Sequence, residues 1–332
     1  MAEAIRLDQT ETIRRALRLV STRHLERADW LAIRKTGIGS SDAAAAVGLS
    51  PYKSQLELWL EKTGRDEGLA KPDPTDTSHP VYWGTLLEPI VAASYTQQTG
   101  RKVRKVNAVL QHPQHPFMLA NIDREVVGAP DVQILECKTA GEFGARHWRE
   151  GVPEYVQLQV QHQLAVTGRQ AADVAVLLCG QKLEVHRVQR DDPLISQLIT
   201  LEAKFWESVT CDTPPPADGS ESADRALRCL YPGNTFTVDW SDDRRLSSTF
   251  ADLVSLKARI KDQEAEAEQH RQTLQQAMGD ASGALFETGR VSFKRSKDGI
   301  GLDTERLCAD HPDLVAQYAI TKPGSRRFRI CD

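Results

Sequence analysis

The sequence has no uninterrupted apolar run approaching the ~18 residues that a membrane span needs. Its first twenty residues, MAEAIRLDQTETIRRALRLV, set Glu, Asp and Arg where a secretory leader would carry its apolar core, so a soluble, cytoplasmic protein is expected. The six cysteines, Cys137, Cys179, Cys211, Cys229, Cys308 and Cys331, form no C-x-x-C pair. That spacing argues against a zinc ribbon or iron–sulfur cluster and for a reducing compartment. There is no G-x-x-x-x-G-K-[ST] motif, which excludes ATP-driven work by that route, and no internal repeat. A positive excess is also missing. With 42 Lys+Arg against 46 Asp+Glu the net charge is −4, which does not suit a uniformly basic nucleic-acid coat.

What is present is ordinary globular material: 332 residues, 40% hydrophobic and 27% charged, enough for one large domain or two ordinary ones. Local basic surfaces exist despite the acidic total. Residues 1 to 40 carry eight Arg and Lys against five acids, and RKVRK at 101–105 packs four cations into five positions.

From Thr10 to about Val20, Ile13, Leu17 and Val20 recur at helical spacing among arginines, which predicts an amphipathic basic helix. A glycine-rich turn, an alanine-rich helix over 41–47, a Ser-Pro stop and a helix over 54–62 follow. After a polar, Pro-rich loop at 65–80, a third helix spans about 82–100 with Glu88 inside it. The period then falls to about 2. VRKVNAVLQ, FMLANIDREV and DVQILECK read as three strands, followed by a helix over 153–167, the strands DVAVLLC and LEVHRVQ, and a helix over 192–208. This order describes an α/β core with a mixed central sheet flanked by helices. CDTPPPADGSESAD at 211–224 is the clearest linker, placing one domain at 1–212 and an α+β extension at 213–332. The extension, a candidate oligomer-forming or partner attachment, has a polar helix over 242–279, read either as a solvated or coiled-coil arm or as a partner-binding surface. A hairpin turning at Thr288-Gly289, a short helix and a last strand RRFRI complete it.

One constellation carries chemistry. ILECKT puts Glu136 and Lys138 two apart on a strand, so both project from one face. An isolated E-x-K is most simply a surface ion pair. Here, however, the preceding strand ends in NID, and a turn near Gly128-Ala129-Pro130 sets residue 122 or 123 opposite 135 or 136, about 4.5–5.5 Å apart at Cβ. Asp123 and Glu136 could then share a divalent cation, which two adjacent carboxylates need in order to stay ionised together. Mg²⁺ takes few carboxylates and keeps waters, so Asp123, Glu136 and the carbonyl of Cys137 would suffice, with Glu88 a further candidate. Lys138 would position the attacking water, help deprotonate it and offset charge on a scissile phosphate. The literal Pro130-Asp131 pair lies too close to Glu136 for a turn and a return strand. Near the N-terminus, R-K-T-G-I-G-S-S-D at 34–42 places Arg34, Ser40 and Ser41 before a helix, a candidate anion site or simply a cap.

Asp123 followed by E-C-K resembles the PD-(D/E)XK nuclease signature, with Ile122-Asp123 in place of Pro-Asp. WLAIRKTGIGSSDAAAAVGLSPY (30–52), GTLLEP (84–89), FMLANID (117–123), LECKT (135–139) and YVQLQVQHQLAVTG (155–168) are similar, in order, to the YqaJ-like viral recombinase family, related to phage lambda exonuclease. The resemblance implies a PD-(D/E)XK, restriction-endonuclease-like core and a Mg²⁺-dependent 5′-to-3′ exonuclease on linear duplex DNA, with Mn²⁺ able to substitute. It also implies 3′ single-stranded tails for recombination with a single-strand annealing protein, a trimeric ring, and a bacterial or phage-infected host cell. Position by position it marks Glu88, Asp123, Glu136, Lys138 and Gln159 as active-site residues, with Gln161 close by as a DNA contact. It gives Arg34, Ser40 and Ser41 a 5′-phosphate to hold. A structure-selective or restriction-type endonuclease of the same fold shares every one of these residues, and a non-catalytic DNA-binding scaffold is a third reading. Residues 213–332 lie outside the resemblance.

Overall fold

The computed structural model describes residues 16–332 except 72, 74, 234, 322, 323, 325 and 332. The chain divides into two units at Pro232/Gly233. The first contains β1 (Leu17–Ser21), α1 (Arg27–Lys35), β2 (Ile38–Gly39), α2 (Ala43–Ala46), α3 (Gln55–Thr63), α4 (Pro80–Thr99), β3 (Lys102–Lys105), β4 (Ala108–Gln111) and β5 (Met118–Ala120). It continues with β6 (Arg124–Val127), β7 (Ile134–Ala140), α5 (Glu154–Thr167), β8 (Ala171–Leu178), β9 (Lys182–Gln189), α6 (Asp192–Thr210) and α7 (Glu221–Leu230).

A five-stranded mixed sheet in the order β3-β6-β7-β8-β9 forms the centre. Only β7 and β8 pair in parallel, so the chain must cross over between them, and α5 is that crossover. The apolar residues of β7 and β8 alternate between the two faces. Ile134, Ala172, Val174 and Val176 meet Val156, Val160 and Leu164 of α5 on one side. Leu135, Ala171 and Ala175 meet Val91, Ala92 and Tyr95 of α4 on the other. A second sheet, β1-β4-β5-β2, includes a parallel β2/β5 pair. Gly37 is required there, because a Cβ would lie 2.6 Å from the carbonyl oxygen of Phe117 on the way into β5.

The structure departs from the sequence expectations in places. Leu17–Ser21, expected as the end of a basic helix, is a strand paired with β4, because LRLVS alternates as readily as it winds; residues 10–15 of that expected helix lie outside the described residues. VRKVNAVLQ splits into β3 and β4, and FMLANIDREV into β5 and β6, each divided between the two sheets. The unit also runs past the linker. Ser222 of α7 bonds the Ser54 backbone amide (2.8 Å) and Glu57 (2.6 Å) at the start of α3, and Ala226 is buried against Leu58 and Trp59. The boundary expected at 212/213 therefore falls at 232/233.

The second unit contains α8 (Arg244–Met278), β10 (Gly283–Phe286), β11 (Gly289–Ser292), α9 (Thr304–Asp310) and α10 (Pro312–Gln317). Phe286 pairs with Gly289, so the hairpin turns at Glu287-Thr288, one residue earlier than expected. RRFRI is not a strand among the described residues. None of the described residues of this unit is buried. Among the described residues, no helix is long and apolar enough to cross a membrane.

Candidate active site

The site forms where β6 starts beside β7 and α5 lies across them. Arg124 pairs with Leu135 and Glu125 with Ile134, a register that carries Asp123 to the position opposite Glu136. Asp123 sits just before β6, in the short link from β5, and its Oδ2 accepts from the backbone amide of Cys137 at 2.9 Å. Glu136 and Lys138 share the face of β7 that meets α5. Glu136 is 3% exposed, yet both its oxygens are held. Oε1 accepts from Gln159 Nε2 (2.6 Å) and pairs with Lys138 Nζ (2.7 Å), while Oε2 accepts from Gln163 Nε2 (2.7 Å). Lys138 Nζ also donates to Gln159 Oε1 at 2.9 Å. Gln159 and Gln163 are one turn apart, so both point at the same carboxylate.

The electrostatics follow from this crowding. Burial first, then the Glu136 charge, with Glu88 adding to it, push the Asp123 carboxyl up to about 8. Burial alone would lower the pKa of Lys138, but the adjacent Glu136 carboxylate outweighs it and holds the ammonium above its ordinary range. Two carboxylates therefore face each other with one cation, short of the positive charge that would settle both. Among the described residues no three His, Cys, Asp or Glu side chains are placed to hold a metal by themselves. The available donors are hard oxygens of two carboxylates and a backbone carbonyl, a set that suits a hydrated Mg²⁺ or Mn²⁺ rather than zinc.

Glu88 stands close by, but its Oε1 is engaged by Arg124 Nη1 at 2.5 Å, a partner the sequence reading missed. Gln163 was missed as well, although its spacing from Gln159 was the available signal. Gln161, expected as a DNA contact, is elsewhere: it is buried, donates to the Gln189 carbonyl (2.7 Å) and accepts from the Asp191 amide (3.1 Å), tying β9 to α6. His162 is fully buried, bonded to Glu202 Oε1 at 2.8 Å and to the Leu119 carbonyl at 2.9 Å. Burial would lower its pKa, but the Glu202 charge more than compensates, and the pair is a core tie between α5, α6 and β5.

Arg34, Ser40 and Ser41 do come together, in a different arrangement from the open anion site expected. Arg34 Nη2 donates to Ser41 Oγ and to both oxygens of Asp42, each at 2.9 Å. Lys62 Nζ adds a 2.8 Å bond to Asp42 and a 2.9 Å bond to the Arg34 carbonyl. Burial would raise the Asp42 carboxyl, but the two cations overwhelm it and hold Asp42 well below the usual carboxylate range. The protein's own carboxylate thus occupies the guanidinium, Ser40 is buried, and one net positive charge and the exposed Ser41 hydroxyl remain.

A family model for the YqaJ-like viral recombinase domain matches residues 29–170. The chain is 34% identical over 325 residues to the uncharacterized protein YqaJ of Bacillus subtilis, covering 96% of this chain and 98% of that one. Among solved structures, an alkaline exonuclease (LHK-Exo) from Laribacter hongkongensis is 24% identical with a TM-score of 0.47, over 56% of this chain and 94% of that one. A phage-related exonuclease from Haemophilus somnus is 12% identical with a TM-score of 0.38, over 55% and 99%.

Proposed function

The chain belongs to the YqaJ-like viral recombinase family, and from that premise we propose that it is a divalent-metal-dependent exonuclease that digests the 5′-ended strand of linear duplex DNA and leaves 3′ single-stranded tails for annealing-type recombination. The observation that carries this reading is the Asp123/Glu136 pair, crowded together beside a lysine and aligned by two glutamines. Asp123, Glu136 and the Cys137 carbonyl would hold Mg²⁺, with Mn²⁺ as a substitute. When bound, the ion polarises the scissile phosphate and lowers the pKa of water.

The chain's own groups do the rest. Gln159 bridges Glu136 and Lys138, fixing the carboxylate and the ammonium relative to each other. Gln163 holds the second oxygen of Glu136, so the carboxylate cannot rotate away. Lys138 stays protonated beside Glu136, so its part is to place the attacking water and stabilise charge developing on the phosphate, with proton removal left to other groups. Glu88 adds negative field at Asp123 while paired to Arg124. Recognition of a 5′-phosphate falls to the Ser41 hydroxyl and the residual positive charge of Arg34, Lys62 and Asp42. The oligomer we propose is a trimeric ring around the duplex, since a chain of net charge −4 holds DNA weakly by charge alone. Its partner would be a single-strand annealing protein.

The test is digestion of a linear duplex labelled separately at each 5′ and each 3′ end, alongside a covalently closed circle, with Mg²⁺ or with EDTA. Release of 5′ label from the linear duplex alone, abolished by EDTA, is expected. Cutting of the circle would make the chain an endonuclease, early release of 3′ label would reverse the polarity, and metal-independent cleavage would remove the role given to Asp123 and Glu136.

A further inference from the structure

The longest helix among the described residues has little to pack against. α8 has 35 residues, roughly 50 Å of helix, and none of them is buried. Isolated helices are marginal in water, and a long one is normally held by an apolar face against something else. Such a face exists. Leu246, Leu253, Ile260, Ala267 and Leu274 recur every seven residues, and Phe250, Lys257, Glu264, Arg271 and Met278 recur in the alternate core position. Phe250, Ile260 and Leu274 are 51%, 47% and 41% exposed. The segment bearing Phe328 and Ile330 borders this stripe at Leu253, Val254 and Lys257 and leaves a groove there rather than filling it.

Charge along the helix identifies the occupant. Residues 244–261 carry Arg244, Arg245, Lys257, Arg259 and Lys261 against Asp252, a net +4. Residues 262–278 carry Asp262, Glu264, Glu266 and Glu268 against Arg271, a net −3. Cations near the start of a helix and acids beyond them oppose the helix dipole, so this order is a cost to the helix alone. A parallel pair would lay plus on plus and minus on minus, and would stack Lys257, Glu264 and Arg271 each on its own copy in the core. An antiparallel pair avoids both. With Leu246 opposite Met278 of the second copy, Phe250 meets Leu274, Leu253 meets Arg271, Lys257 meets Ala267 and Ile260 meets Glu264, so each charged core residue faces an apolar one instead of its own copy, while the basic half lies along the acidic half. A three-fold ring needs its helices parallel about the axis, so this face cannot be what closes such a ring.

We infer that α8 is an antiparallel docking surface for α8 of a second copy of this chain, joining chains or rings in pairs. The inference does not depend on the nuclease reading. It is tested on the full chain by mass measurement at micromolar concentration, with two variants, Lys257→Glu with Lys261→Glu and Glu264→Lys with Glu268→Lys, each alone and the two mixed. Circular dichroism checks that the helix persists, and digestion of a short linear duplex, run in parallel, should not change. The wild type should have an even number of chains or rings. Each two-site variant alone should halve the mass and weaken association at least tenfold, and mixing the two should recover pairing, because the unchanged acidic half of the first, net −3, then meets the unchanged basic half of the second, net +4. A mixture of the two variants that stays dissociated, single variants of unchanged mass, or a wild type that is already a single chain or single ring would overturn the inference.

Discussion

Replacing Asp123 with asparagine should stabilise the metal-free protein while abolishing catalysis. The carboxyl of Asp123 is half-buried, faces Glu136, and is pushed from its ordinary value near 3.8 up to about 8. A raised carboxyl pKa means the folded state holds a proton that the unfolded state has released, so stability is intact below about pH 4 and is lost progressively until pH passes about 8. The slope is at most ~1.4 kcal/mol per pH unit, which sets a ceiling of about 4 kcal/mol between pH 5 and pH 8. Water reaching the half-buried group and local relaxation bring the expected loss to roughly 1–3 kcal/mol. Asparagine keeps an oxygen for the Cys137 amide and removes the titration. In EDTA the variant should therefore melt about 2–12 °C above wild type at pH 8, at ~2–4 °C per kcal/mol for a domain of this size, and the gap should shrink towards zero at pH 5. Saturating Mg²⁺ should reverse the order, since metal at 100 times its Kd adds ~2.7 kcal/mol to the wild type alone. Melts at three pH values with and without metal decide it. An Asp123→Asn variant no more stable than wild type at pH 8 in EDTA, or a gap independent of pH, would refute the account of two carboxylates held in deficit of positive charge.

Glu136→Gln and Lys138→Ala should each lower the rate of end digestion by at least about 10²-fold, with Lys138→Ala sparing Mg²⁺ affinity measured by calorimetry. Arg34→Ala should destabilise the fold by about 2–3 kcal/mol, less than for a fully buried pair because Lys62 still faces Asp42, so Ser41→Ala is the cleaner probe of 5′-phosphate preference; rates on phosphorylated and hydroxyl ends compare them. Glu202→Gln should cost about 3–5 kcal/mol in thermal or urea unfolding by stranding His162. Because the His162 pKa is raised, that loss should be widest below pH 6.5 and narrow as pH climbs past the raised value.

The site's acids were legible in the sequence because a hairpin fixes them locally: the E-x-K alternation and the turn at 128–130 were enough to set Asp123 opposite Glu136. The glutamine pair was half legible, since Gln163 follows Gln159 by one helical turn but nothing in the sequence says which face of α5 meets the sheet. Arg124 and Asp42 were not legible, because each acts on a residue brought to it by tertiary packing, Glu88 from α4 and Lys62 from α3. Gln161 misled by proximity: three glutamines in five residues look alike in sequence, but Gln161 points to β9 and α6. The helix expected over 10–20 failed for a different reason, as LRLVS satisfies both periods and pairing with β4 decided between them.

Every group from Asp123 to Gln163 comes from one hairpin and the helix that crosses over from it. Short loops close at little entropic cost, so contacts of this kind are among those that form early in folding. During synthesis this segment and β8, which completes the parallel pair, leave the ribosome before the last hundred residues are made. The groups of the proposed centre can thus be in place on a nascent chain before α8 exists, so its maturation does not wait for assembly of copies, and a chain truncated after α7 keeps every residue assigned to it.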